Sequence, residues 1–192
     1  LNILLVPAKK YYSFNERKLN KIILVGRLHK SKGHVPLIHQ FQKVISESPD
    51  LELHIIGAGP ELNIIKNEIQ KLKVTKNVLL RGNIPHKDIL NEFESALISI
   101  SSSIHEAYGL VNIEALKCGT PIISTKTAGG LEIVTDKYNG RFIDLNDQNS
   151  LLKSIRSIRK NWNYYSQNAL DTFNNRFHEK CVYNHVNKIE TI

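Results

Sequence analysis

Residues 96–125 place the tightest constraint on what this chain can fold into. The apolar run Ala96-Leu97-Ile98-Ser99-Ile100 ends in the polar loop Ser101-Ser102-Ser103, and Glu106 follows it. Gly109 then opens an apolar-periodic segment, Leu110-Val111 and Glu114-Ala115-Leu116, which closes at Cys118-Gly119 before Thr120-Pro121 starts another β-branched run. The order is strand, loop, helix, strand. Such a unit needs neighbours of the same kind to bury its faces.

Neighbours of that kind are spread along the chain. Ile22-Ile23-Leu24-Val25 is a buried-strand run ended by Gly26, and residues 35–48 follow as a helix with Leu37, Ile38, Phe41, Val44 and Ile45 on one face. Further strands are predicted at 51–56, 78–80, 121–124 and 141–143, and helices at 61–73 and 88–95. In the first of these helices Leu62, Ile65, Ile69 and Leu72 are expected to face inward. From Asp147 onward the chain reads as helical, with Leu151, Leu152, Ile155 and Ile158 forming a stripe and two more helices near 163–174 and 178–190. Trp162 and the pair Tyr164-Tyr165 are expected to pack on the sheet. The pattern predicts an α/β fold, a doubly wound, Rossmann-like and mainly parallel sheet over residues 21–192. Residues 1–20 show no clear period and read as a linker.

Composition agrees with one globular domain: 192 residues, 41% apolar and 23% charged. No apolar run approaches the roughly 20 residues that span a bilayer. Cys118 and Cys181 lie far apart with no secretory signal, so reduced thiols and a cytoplasmic setting are expected, with Cys118 a small buried residue. The chain begins at Leu1 and contains no methionine, and it reads as an excised piece.

The chemistry begins at Gly109. A glycine there permits unusual dihedral angles, and the amides of the next residues are the unpaired first turn of a helix, which favours a phosphate. Glu106 precedes that start and Glu114 lies about a turn and a half into the helix. Carboxylates beside phosphates make sense as acceptors for a hydroxylated group such as a ribose or a hexose. On spacing alone, a solvated Glu106 and an ordinary helical Glu114 are the simpler reading. Arg27 and Lys32 lie in the loop after the first strand, where cations could neutralise a diphosphate leaving group without a metal. Gly57-Ala58-Gly59-Pro60 resembles a dinucleotide fingerprint, but Leu62 occupies the third glycine position, so a tight strand-to-helix turn is expected instead. The histidines form no metal-binding spacing, there is no D-x-D pair, and His105 reads as a solvated loop residue. The net charge of +8 suggests an anionic partner. Lys9, Lys10, Arg17, Lys18 and Lys21, with Arg156, Arg159 and Lys160, suit peripheral contact with an anionic membrane better than nucleic acid, and a solvated basic surface is the simpler reading.

Taken together, Glu106-Ala107-Tyr108-Gly109-Leu110-Val111, then Glu114-Ala115, Cys118-Gly119 and Pro121, resemble the E-x7-E signature of retaining GT-B glycosyltransferases, in particular glycosyltransferase family 4. Gly26-Arg27-Leu28 with Lys32-Gly33 resembles the family's G-R-L-x-x-x-K-G loop. Gly129-Gly130 with Glu132-Ile133-Val134, and Asn139-Gly140, resemble its closing segment. Ala107 stands where the family usually has glycine, Leu131 where proline is common, and Tyr108 replaces phenylalanine.

The resemblance implies the C-terminal, donor-binding half of a GT-B fold, with the N-terminal acceptor domain absent from this chain. It implies a hexose moved with retention from a UDP- or GDP-linked donor to a glycan or lipid-linked acceptor, with no cofactor and no metal, on the cytoplasmic side and in contact with the protein's own N-terminal domain. Arg27 and Lys32 with the amides of Tyr108, Gly109, Leu110 and Val111 would hold the diphosphate, and Gly26 would lie against the donor. Glu106 would bind the transferred sugar, Glu114 the ribose, and the Arg81-Gly82-Asn83-Ile84-Pro85 loop the base, with Ile84 packing on its face. A nucleotide-binding module without catalysis and another GT-B enzyme such as a sugar-nucleotide epimerase stay open.

Overall fold

In the computed structural model, which describes residues 17–178, strands and helices alternate until consecutive helices close the described stretch. The elements are β1 (Lys18–Val25), α1 (His34–Glu47), β2 (Glu52–Ile56), α2 (Leu62–Lys71), β3 (Val78–Gly82), α3 (His86–Ser95), β4 (Ala96–Ser101), α4 (Leu110–Lys117), β5 (Ile122–Thr125), α5 (Ala128–Ile133), β6 (Gly140–Ile143), α6 (Ser150–Lys160) and α7 (Trp162–Thr172), closed by a π-helical turn at Phe173–Phe177. The six strands form one sheet in the order β3-β2-β1-β4-β5-β6. Every pairing is parallel. The doubly wound fold is therefore as expected.

A parallel sheet covered on both faces needs strands that are apolar throughout, and alternate residues feed two cores. In β1, Ile22 and Leu24 enter the core beneath α1, α2 and α6, whereas Ile23 enters the one beneath α3, α4 and α7. Helix α1 contacts α2 and α6, and α4 contacts α3 and α7. The helices that follow the neighbouring strands β1 and β4 thus lie on opposite faces.

Several expectations are corrected in detail. Strand β1 opens at Lys18, so the last residues of the predicted linker are strand. Leu62 is 43% exposed, because it begins α2 at the rim and only Ile65 and Ile69 are buried there. Tyr164 is likewise exposed, while Trp162 and Tyr165 are buried and the indole of Trp162 donates to the carbonyl of Leu97. Residues 128–133 are helical, with Thr127 capping the turn by accepting from the Gly130 amide. Cys118 is buried as expected, and burial pushes its thiol up to about 12. The predicted helix at 178–190, Lys9, Lys10 and Cys181 lie outside the described residues.

The basic surface is smaller than the charge count suggests. Lys21 is buried and donates to Glu92, while Arg156 and Arg159 face Glu47 and Asp50 on α1 and its following turn. Arg17 is 4% exposed and donates to the carbonyls of Phe93, Ala96 and Cys118 and to the hydroxyl of Thr120, with its guanidinium 4.9 Å over the Trp162 ring. Those acceptors terminate α3 and α4 and begin β4. A guanidinium with its fixed fork of donors can serve all of them, which a single ammonium cannot.

Replacing Arg17 would remove its donors from the carbonyls of Ala96 and Cys118, each at a cost of about 1–3 kcal/mol, whereas the Phe93 carbonyl keeps the Thr120 hydroxyl and the Ala96 amide. Arg17→Met is expected to lower the unfolding free energy by about 3–5 kcal/mol. Urea denaturation checks this; a loss below about 1 kcal/mol would show that solvent replaces the guanidinium.

Candidate active site

Two loops leave the C-terminal edge of the sheet side by side, one after β1 and one after β4. They are tied together: the Ser102 hydroxyl donates to the Lys32 carbonyl at 2.7 Å, and the Ile104 amide donates to the Ser31 carbonyl at 2.7 Å. Gly33, in the left-handed region at φ +63°, starts α1, and a Cβ there would lie 2.2 Å from the Ser102 carbonyl oxygen. Only glycine allows the loops to approach so closely. Between them lies a cleft of about 210 Å³ lined by Gly26, Arg27, Lys32, Ser103, Glu106 and Val111, among others.

Five predicted site residues, Gly26, Arg27, Lys32, Glu106 and Val111, therefore meet in one cleft. Lys32 Nζ donates to Glu106 Oε2 at 2.5 Å, and the Gly109 amide donates to Glu106 Oε1 at 3.3 Å. Burial of Glu106 would raise its carboxyl, but the Lys32 ammonium and the amides of Gly109 and Tyr108 outweigh it and hold the group below the usual carboxylate range. Glu106 is thus ionised at neutral pH and sits on the helix start that the sequence assigns to a phosphate. Arg27 is exposed and forms no ion pair among the described residues, so it faces solvent as an uncommitted cation.

The start of α4 is built on Gly109 at φ +66°. A Cβ there would meet the Ile133 side chain at 2.9 Å, and the carbonyl of Glu106 accepts from the Gly129 amide at 2.9 Å. The glycine pair at 129–130 thus packs α5 against the Glu106 loop. Tyr108 and Leu110 are 78% and 59% exposed, and Val111 lines the cleft.

Glu114 does not line this cleft. Its side chain is 10% exposed, and its Oε1 lies 3.1 Å from Nε2 of His86, the first residue of α3. His86 follows directly on the Arg81–Pro85 loop, whose Ile84 is half-buried against the second core. Sequence reasoning passed over His86, since nothing in the spacing joins it to Glu114. Among the described residues no group of three or more His, Cys, Asp or Glu side chains is placed to hold a metal ion. His105 is exposed.

A larger cavity of about 620 Å³ shares Ser103 with the cleft and opens beside the ends of β5 and β6. Its charged lining is Lys126 and Asp144 alone. The smaller cleft, with two cations, an ionised carboxylate and a helix start, is the one equipped for an anionic ligand.

Comparison with known proteins bears on the family and the fold. Residues 10–172 match the model of the family described as glycosyl transferases group 1. The chain is 33% identical over 159 residues to a poly(glycerol-phosphate) alpha-glucosyltransferase of Bacillus subtilis, covering 82% of this chain and 22% of that protein. It is 28% identical over 158 residues to the GPI3 subunit of a Saccharomyces cerevisiae phosphatidylinositol N-acetylglucosaminyltransferase, covering 82% of this chain and 34% of that one. The chain thus spans about a fifth to a third of these relatives. Among solved structures it superimposes on a pneumococcal O-GlcNAc transferase in complex with UDP and GlcNAc, with a TM-score of 0.81 at 18% identity, over 97% of this chain and 38% of that one. An Anabaena protein in complex with UDP and glucose gives a TM-score of 0.77 at 19% identity, over 90% of this chain and 48% of that chain. At such identities the likeness establishes the fold.

Beneath Lys32, His34 is 1% exposed and neither ring nitrogen makes a hydrogen bond. Burial, reinforced by the nearby Lys32 charge, lowers its pKa from 6.5 to about 4. The folded state therefore binds fewer protons than the unfolded chain between those values, so stability is present above pH 6.5 and is lost as pH falls toward 4. His34→Gln is expected to flatten the dependence in that window, where the wild type loses about 3 kcal/mol. Denaturant titrations at pH 7, 5.5 and 4.5 check it; parallel curves for the two proteins would show that His34 does not titrate there.

Proposed function

The chain belongs to the glycosyl transferases group 1 family, and on that premise we propose that it forms the donor-binding part of a retaining, GT-B-type hexosyltransferase of the family 4 kind. The observation that carries this reading is the convergence of Arg27, Lys32 and the amide-rich start of α4 on one cleft at the strand ends. Loss of a nucleoside diphosphate develops negative charge, and fixed cations and amides at that point stabilise it. UDP is favoured over GDP, since solved structures of this fold are described as UDP complexes.

Arg27, Lys32 and the amides of Tyr108, Gly109, Leu110 and Val111 hold the diphosphate, and Gly26 lets the backbone lie against it. Glu106 accepts from hydroxyls of the transferred hexose, Glu114 from the ribose, and Ile84 packs on the base. The bond between the anomeric carbon and the diphosphate oxygen breaks as an acceptor hydroxyl oxygen bonds to the same face of that carbon. The hydroxyl proton passes to the departing diphosphate. Neither a protein nucleophile nor a metal is called for.

The acceptor is a glycan or lipid-linked hydroxyl compound of surface polysaccharide or related synthesis, a class suggested by relatives named for poly(glycerol-phosphate) and phosphatidylinositol. Its recognition is assigned to an N-terminal domain, with the enzyme working on the cytoplasmic side and against a membrane surface.

Calorimetric titration with UDP, GDP and ADP in the presence of a chelator tests the donor site. One nucleotide is expected to bind saturably, and Arg27→Ala and Lys32→Ala are each expected to weaken it about 10–100-fold, the scale of a charge-assisted hydrogen bond. Binding of none of the three, or binding indifferent to both substitutions, would overturn the assignment.

A further inference from the structure

We infer that His86 is a positioning residue for the nucleoside end of the donor, acting through the Glu114 carboxylate; the inference rests on the donor-site reading above. A carboxylate can only accept, so at 3.1 Å it is Nε2 of His86 that carries the hydrogen and donates to Glu114 Oε1. Glu114 Oε2 accepts no hydrogen bond among the described residues, and the Glu114 side chain is 10% exposed. The carboxylate is therefore held by one oxygen and open at the other.

That arrangement suits a vicinal diol. Each carboxylate oxygen has two acceptor positions, so one bond from His86 leaves enough for two adjacent hydroxyls. A glutamate with a free carboxylate would have to be ordered on binding, which weakens the complex. His86 removes that cost beforehand. Its place in the chain adds a second effect. It opens α3 directly after Pro85, and the Asp88 amide donates back to the Pro85 carbonyl at 2.8 Å, so the backbone that carries His86 is held to the loop that carries Ile84. The bond to Glu114 thus ties the base-side loop to the ribose-side carboxylate, and a displacement of one moves the other.

His86 is 56% exposed at its side chain, so its removal leaves the core intact. The test titrates wild type, His86→Ala and His86→Gln with UDP and GDP, then with the 2′,3′-dideoxy analogue of whichever nucleotide binds. His86→Ala is expected to weaken the natural nucleotide about tenfold and leave the dideoxy analogue unchanged, since the carboxylate then has no hydroxyl to meet. His86→Gln, which keeps an N–H donor, is expected to recover most of the loss. An equal loss for both nucleotides, or none for either, would overturn the role of His86 while leaving the donor site standing. Failure of wild type to bind UDP or GDP would overturn the donor site and this inference with it.

Discussion

The placement of β4 beside β1 governs everything at the functional end of this molecule. Once the chain has built β1, β2 and β3 outward in one direction, it returns past β1 and continues the other way. The crossover helices of the two halves must then lie on opposite faces, α1 with α2 and α6, α4 with α3 and α7. Loops leaving β1 and β4 consequently part from one another, and the gap between them is where a ligand can reach the strand ends. The hydrogen bonds from Ser102 to Lys32 and from Ile104 to Ser31 set how far the loops separate. They fix a cleft wide enough for a small anion and narrow enough for Lys32 to reach Glu106.

The strands and most helices were legible because the physics that forms them is local. Apolar β-branched runs bounded by glycine, and apolar residues at helical spacing, are properties of a few neighbouring residues. The same holds for the two loops, where Gly33 and Gly109 announce close approaches that a side chain would block. Gly57-Ala58-Gly59 forms the turn between β2 and α2, and the packing explains its two glycines. A Cβ at Gly57 would lie 1.9 Å from the Gly26 carbonyl oxygen, and one at Gly59 would lie 2.3 Å from that of Leu28. These glycines serve contact between the β1 and β2 loops.

What stayed hidden was pairing over long separations. Arg17 counts as one more cation in a basic segment until the fold brings the ends of α3 and α4 around it. Glu114 and His86 are 28 positions apart, and only the contact of α3 with α4 joins them. His34 has the sequence profile of a surface histidine on a basic loop, yet it is buried because α1 begins by turning inward at Gly33. Tyr164 errs the other way: Trp162, Tyr165, Ser166 and Ala169 form the buried stripe of α7, and Tyr164 falls off it.

The charge balance of the cleft explains why two cations are present. Unit charges about 4 Å apart interact by about 4 kcal/mol at the effective dielectric of a protein surface, so an ionised Glu106 beside a diphosphate would oppose its binding by an amount of that order. Lys32 is engaged by Glu106 and largely offsets that single negative charge. On the proposed donor-site reading, a bound diphosphate needs a further source of positive potential, and Arg27 is the cation of the cleft that holds no carboxylate. Burial and the nearby Lys32 charge keep His34 neutral at neutral pH, so it adds no second cation beneath Lys32. With the partial positive charge of the α4 start, the cleft can then hold an anion and a hydroxyl-accepting carboxylate side by side. On the proposed reading, that combination separates a nucleotide-sugar site from a plain phosphate site, because Glu106, besides holding Lys32 and the Gly109 amide, offers acceptor positions to a sugar carried by the anion.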